Sequence, residues 1–339
     1  MILEEISLKL NETKEENTFL YFITRVIKPG IKKTSKLMKK YFFKVYQIDV
    51  NDDIRKHLYS LTLEQLVYLD KKKTELHEYD VITDDTEQLF TYSMTNKAMS
   101  FADVVNTQLK SKPPKIKSLE EIIKEEELWA YCIGFNNNDD EWIYTFRKIL
   151  SSKVAIDEND GNKRSKLHKA IRTAFNTKSK KLELIEGETI NLDKQIDCVF
   201  YKEIFYVAKK TQFEQIVGLE EEYKEKASKV KEEMDETKMF EGLEILDQHI
   251  EANPSLHKKL VRLSKIGNHN KLDKKTIKGM VKICLAREGK DLKVKKGKLV
   301  IEDEHDIDIL LRMLCDYYKL GEVSGRAYGT FAGREFVNV

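Results

Sequence analysis

The sequence predicts an α+β protein: a mixed N-terminal region, a central antiparallel β-sheet and a helical C-terminal region that carries a β-hairpin. Three observations predict it. Segments rich in aromatic and β-branched residues, separated by Asn, Asp, Gly and Lys turns, crowd the stretch from Leu128 to Lys209. Apolar residues at helical spacing take over from Gln212. Between Ser255 and Val300, 15 Lys or Arg stand against the three acids Asp273, Glu288 and Asp291, so this window carries +12 where the 339-residue chain carries +2.

In chain order, Leu20 to Ile27 and Tyr41 to Val50 have the composition of a pleated surface and predict strands, joined through Lys28-Pro29-Gly30 and a basic run to Lys33. Asp53 to Asp70 predicts a helix with Leu58, Leu61, Leu66 and Leu69 on its apolar side. Asp84 to Met94 and Ser100 to Leu109 predict short helices, the second capped by Ser100. Ser111-Lys112-Pro113-Pro114-Lys115 can neither continue a helix nor join a central strand. The division is therefore 1–115, 116–210 and 211–339.

The central region predicts strands at Leu128–Phe135, Glu141–Ile149, Lys153–Asp157, Lys181–Glu186, Asp197–Tyr201 and Ile204–Ala208. Hairpin turns fall at Asn136–Asp140 and Lys202-Glu203, and Asn159–Lys169 is an excursion from the sheet. One long helix then carries Phe213, Ile216, Val217, Tyr223, Ala227, Val230 and Met234 as a narrow seam with acidic flanks. Such a seam suits another helix, of this chain or of a second copy.

The basic window is patterned. Leu256, Leu260 and Leu263 share one helical face, and Lys258, Lys259, Arg262 and Lys265 are expected on the other. After Gly267-Asn268-His269-Asn270, Asp273 stands at an N-cap. The next helix is expected to bury Ile277, Met280, Val281, Cys284 and Leu285 while exposing Lys274, Lys275, Lys278 and Lys282. Gly289 closes it, and Lys293, Lys295 and Lys296 lead into a hairpin turn at Gly297. A last helix buries Ile307, Leu310, Leu311, Leu314 and Tyr318, and a glycine-rich turn and strand follow.

Composition excludes several classes. Charged residues are 35% and apolar residues 41%, which excludes a disordered chain, and no apolar run reaches the span of a bilayer. Cys132, Cys198, Cys284 and Cys315 are scattered, as in a reduced cytosolic protein. The histidines (57, 77, 168, 249, 257, 269, 305) form no H-x-x-x-H or H-E-x-x-H pair and read as surface or turn residues. No phosphate-binding glycine loop is present, so no cofactor and no metal are expected. A restriction-type nuclease needs a strand Asp followed by Glu-x-Lys, whose carboxylates hold Mg²⁺. Asp197 fits the first part. Val207 and Ala208 stand where the Glu is needed before Lys209 and Lys210. Asp197 is then expected to hold backbone amides, and no catalytic residue is assigned.

Lysine is a compact point charge suited to phosphate, and only Arg262 and Arg287 in the window offer the forked donor that reads guanine. The two helices and the hairpin are expected to present these cations on one outward surface, and the expected partner is double-stranded DNA, bound there through its backbone with little sequence preference. The order helix, turn, helix, hairpin is that of a winged helix. A metal-dependent nuclease, and a scaffold for a membrane protein or anionic lipid, are the alternatives. With 50 lysines and 10 arginines in the chain, the lysines also fit a merely solvated surface.

Three segments together resemble the KwaB-like family of Kiwa anti-phage defence proteins: LWAYCIGF (128–135), IDCVFYKEIFYVAKKTQFEQIVGLEEEY (196–223) and DIDILLRMLCDYYKLGEVSGRAYG (306–329). The resemblance extends over residues 78–336. It departs at Val323-Ser324-Gly325, where the family pattern is Leu-Thr-Gly. It implies a cytosolic DNA-binding effector; separately, a homodimer or higher homo-oligomer is expected. That effector works with a membrane-embedded partner, KwaA, which can recruit it to the inner membrane, and it suppresses phage DNA replication and late transcription. No catalytic residue comes with the resemblance.

Overall fold

The computed structural model describes residues 2–27, 41–73, 75–81, 87–93, 101–116, 126–137, 141–149, 154–155, 173–176, 181–184, 189–190, 192–290 and 292–331. The chain divides into two compact units, one of residues 1–78 and 87–217, the other of residues 79–86 and 218–339.

The first unit runs α1 (Ile2–Asn11), β1 (Thr18–Ile27), β2 (Tyr41–Ile48), α2 (Asp52–Lys72), β3 (Glu75–Glu78), β4 (Gln88–Ser93), β5 (Glu127–Asn136) and β6 (Trp142–Lys148). It continues through β7 (Val154–Ala155), β8 (Thr173–Asn176), β9 (Lys181–Leu184), β10 (Thr189–Ile190), β11 (Cys198–Tyr201), β12 (Ile204–Val207) and α3 (Lys210–Val217). Its centre is an eight-stranded sheet of order β2-β1-β5-β6-β11-β12-β4-β3, antiparallel except for the parallel β3–β4 edge pair. β7 pairs with β10 and β8 with β9. The sheet takes strands from both sides of residue 116, so the boundary expected there falls inside one core.

Side chains alternate across this sheet as the two-residue strand period requires. One face sets Leu20, Phe22, Tyr131, Ile133, Phe135 and Val199 against Leu3, Ile6 and Leu10 of α1 and Leu58, Leu66 and Leu69 of α2. The other is aromatic: Phe101 meets Phe146 edge-on at 5.7 Å and Phe205 at 6.4 Å, and Phe213 of α3 lies 5.3 Å from Phe205. Gly134 on β5 fits between two rings; a Cβ there would stand 3.0 Å from both Tyr21 and Tyr144.

Three expectations are corrected. Residues 88–93 form strand β4, not a helix, because Leu89, Phe90 and Tyr92 are buried in the sheet and the strand pairs with β12. Propensity yields there to tertiary pairing. The helix expected from Gln212 through Met234 breaks at Gly218, whose φ of +76° ends α3 before α4 begins. Tyr318 lies in a strand, because the last helix stops at Leu314 and Asp316 turns the chain with φ +53°. The basic run at 28–33, the Ser100 cap, the 159–169 excursion and most of the 136–140 turn lie outside the described residues.

The second unit runs α4 (Leu219–Glu236), β13 (Phe240–Glu241), α5 (Leu243–Ala252), α6 (Pro254–Ile266), α7 (Lys274–Glu288), β14 (Val294–Lys295), β15 (Lys298–Val300), α8 (Glu304–Leu314), β16 (Tyr318–Leu320) and β17 (Ala327–Gly329). Its core joins Ala227, Val230 and Met234 of α4 to Leu256, Leu260 and Leu263 of α6, with Ile277, Met280 and Cys284 of α7 and Leu310, Leu311 and Leu314 of α8. The seam of α4 is thus filled within the chain. β14, β15 and β13 make a three-stranded sheet.

Candidate nucleic-acid interface

The basic window folds into α6, a short turn, α7 and the β14–β15 hairpin. Local chemistry fixes each boundary. Asn253 caps α6 by accepting from Ser255 N–H, with Pro254 as its first residue. Asp273 caps α7, its Oδ1 accepting from Thr276 N–H at 2.6 Å, and that bond holds its carboxyl below the ordinary range. Gly289 ends α7 with φ +66°. The α6–α7 turn is pinned from inside: Asn268 donates to Leu314 O at 3.0 Å, and His269, fully buried, meets Glu233 of α4 at 2.9 Å. His257 is buried too, against Ile250 O. His257, buried within a helix, corrects the expectation that each histidine lies at the surface or in a turn, whereas His269 lies in the expected turn with its ring directed inward.

The eleven cations expected to form one surface separate into groups. Lys259 of α6 donates to Asp308 at 2.6 Å, and Lys265 lies 3.5 Å from Asp80. Lys293 is held by Glu302 at 2.8 Å and Asp306 at 3.0 Å. Lys258 and Arg262 are half-buried on α6. Lys274, Lys275, Lys278 and Lys282 on α7, with Lys295 and Lys296 at the hairpin tip, are exposed, and among the described residues none has a carboxylate at ion-pair distance.

α7 and the tip are brought together. Lys274 lays its stem along the hairpin turn, with Cε 3.3 Å and Cγ 3.5 Å from where a Cβ on Gly297 would stand. At about 100° per residue, Lys274, Lys275, Lys278 and Lys282 fall within an arc of about 100° on α7, with Lys274 at its hairpin edge. Leu285, expected in the core, is 52% exposed within that arc. The arrangement is a narrow cationic ridge of helix flank plus hairpin tip, with a single acid, the N-cap Asp273, at its start beside Lys275.

Asp197 occupies a different setting, in the first unit. It is fully buried; Oδ1 accepts from Arg147 at 2.5 Å and Oδ2 from Lys148 N–H at 2.7 Å, while its carbonyl accepts from the amides of Ala208 and Lys209. Burial raises its carboxyl above the ordinary range against the pull of the Lys148 amide and Arg147. Arg147 also grips Asp193 through Nε at 2.9 Å and Nη2 at 3.0 Å. Lys148 lies 3.6 Å over the Trp129 ring, and burial pushes its amine down to about 8. This cluster ties β6, β11 and the start of α3 together and spends its donors and acceptors on itself. Among the described residues no three His, Cys, Asp or Glu side chains are placed to hold a metal ion, and no helix is long and apolar enough to cross a membrane.

Among known proteins, the family described as Kiwa protein KwaB-like matches residues 125–323, from the start of β5 to the β16–β17 turn. No curated protein and no solved structure matches the chain. The matched span is 199 of 339 residues and takes in both the Arg147–Asp197 cluster and the cationic ridge, so the chain belongs to the Kiwa protein KwaB-like family.

Proposed function

We propose that this chain is a DNA-binding effector of Kiwa anti-phage defence, holding duplex DNA by its backbone through Lys274, Lys275, Lys278, Lys282, Lys295 and Lys296. Family membership carries the defence role and association with Kiwa partners such as KwaA. The observation that carries the DNA reading is the set of six exposed lysines on one helix flank and one hairpin tip, with no carboxylate at ion-pair distance among the described residues.

The chemistry around the ridge narrows the partner. From Glu241 to Asp316 the chain has no Phe, Tyr or Trp, so it offers no platform on which unstacked bases would lie. That favours duplex over single strands. An anionic bilayer is served less well. The exposed apolar residues of α7, Ile283 and Leu285, sit about 160° apart on opposite flanks, with Lys275 and Lys282 between them. The protein then acts by occupancy, without bond chemistry of its own, obstructing replication and transcription on the DNA it covers.

The test is a gel shift with random-sequence duplex, comparing the wild type with a variant carrying Gln at the six lysines. Loss of binding with an unchanged thermal midpoint supports the reading; unchanged affinity rejects it. The same titration with Mg²⁺ or Mn²⁺ reads out cleavage, and cut product would replace occupancy with nuclease action.

A further inference from the structure

One residue on the ridge helix has no structural reason to be what it is. Gly279 stands in the middle of α7 with ordinary helical backbone, and a Cβ built on it meets nothing within 4 Å. Every other glycine among the described residues has a positive φ or a neighbour at 3.0 Å or closer. Glycine is the poorest helix residue after proline, since it gives up the most backbone freedom, and alanine here would stabilise α7 at no steric expense. Folding alone therefore does not account for Gly279.

Its position does suggest an account. Ile277, Met280 and Cys284 define the buried side of α7. At about 100° per residue Gly279 falls on the opposite side, next to Lys275 and Lys282 and about 100° from Lys278. A missing side chain with Lys275 and Lys282 on one side of it and Thr276 and the exposed Ile283 on the other leaves a notch. Its floor is helix backbone, and its lysine side carries two ammonium groups with no carboxylate at ion-pair distance among the described residues.

We infer that Gly279 is a close-approach point, where a phosphodiester backbone seats against the α7 main chain while Lys275 and Lys282 hold phosphates on the near side. This rests on the DNA-binding reading above and deepens it: contact lies on the outward pole of α7, not only in the seam with the hairpin. A side chain at 279 would lift the duplex off the helix and lengthen every lysine–phosphate contact together. The effect is steric and leaves the charge of the ridge unchanged.

The experiment uses the full chain, random-sequence duplex of about 20 base pairs and fluorescence anisotropy at fixed salt, with G279A, G279L and the triple K275Q/K278Q/K282Q. Thermal melts are run in parallel. The expected result is that G279A raises the melting midpoint by a few degrees yet binds more weakly. G279L, with its midpoint no lower than wild type, loses about tenfold or more, and the triple variant loses more still with a shallower salt dependence. If G279L binds as wild type while the triple variant fails, the notch is not a contact and this inference falls alone. If the triple variant binds as wild type, the DNA-binding reading itself falls and takes the inference with it. Should G279L melt early, G279A decides: binding equal to or tighter than wild type in that more stable variant overturns the proposal.

Discussion

Lys259 donates to Asp308 at 2.6 Å, and Asp308 accepts from Arg312 at the same distance. Arg312 reaches on to Glu288 at 2.9 Å, and Glu288 accepts the Tyr318 hydroxyl. A chain of charges thus joins α6, α8, the end of α7 and β16. Burial works to raise Asp308, but Lys259 and Arg312 outweigh it and hold the carboxyl below its ordinary range. A depressed carboxyl contributes stability above its unfolded value, and that stability is lost as pH falls through the folded one. Asp308→Ala is expected to lower the unfolding free energy by about 1 kcal/mol at pH 7, the site being partly solvated. The deficit should shrink as pH falls below 4. Denaturant melts at several pH values measure it, and a pH-independent deficit would contradict the account.

Lys148 titrates with the opposite sense. Burial brings its amine from 10.5 down to about 8. Between those values the unfolded chain keeps a proton that the folded chain has shed, so this residue's contribution to stability rises with pH across that window. Relative to Lys148→Met, the wild type should gain stability by about 2 kcal/mol from pH 8 to pH 10. A difference that stays flat over that range rules out a depressed amine.

Arg147 is 6% exposed and Asp197 fully buried, and the pair lies at 2.5 Å. Arg147→Met leaves the Asp197 carboxylate buried without its cation. The expected loss is about 3–5 kcal/mol. Asp197→Asn in the same background should restore part of it, and additive losses in that double mutant would contradict the pairing.

The β11–β12 hairpin turns on Lys202 and Glu203, with φ of +48° and +62°. Glycine is favoured at the second of these positions. Lys202 meets Glu5 at 3.0 Å, an exposed pair that Glu203→Gly leaves intact. That substitution should therefore raise stability by about 0.5–1 kcal/mol, read as a higher thermal midpoint. A lower midpoint would show that the Glu203 side chain has a role beyond the turn.

Much of this architecture is legible in the sequence, for local reasons. The caps at Asp273 and Gly289, the turn at Lys296-Gly297 and the strands at 127–136 and 142–148 announce themselves through residues only a few positions apart. The misreadings share the opposite cause. Strand β4 exists because β12 pairs with it, and the helix expected through Tyr318 gives way to a strand that pairs with β17. The basic window shows the same limit. Counting charge finds 15 cations, but only the fold shows Asp308, Asp80, Glu302 and Asp306 withdrawing Lys259, Lys265 and Lys293. Gly279 shows its peculiarity only in the fold, where nothing surrounds the place of its Cβ.

The division between lysines with a carboxylate at ion-pair distance and those with none among the described residues is the claim on which the functional account stands, and the salt dependence of DNA binding tests it most directly. Log K falls by about 0.9 per neutralised phosphate per log unit of salt. Neutralising Lys274, Lys275, Lys278, Lys282, Lys295 and Lys296 together should remove up to about 5 from that slope, whereas K265Q/K293Q should change it by less than about 1. Equal losses from the two variants, or a slope unmoved by the first, would contradict the account.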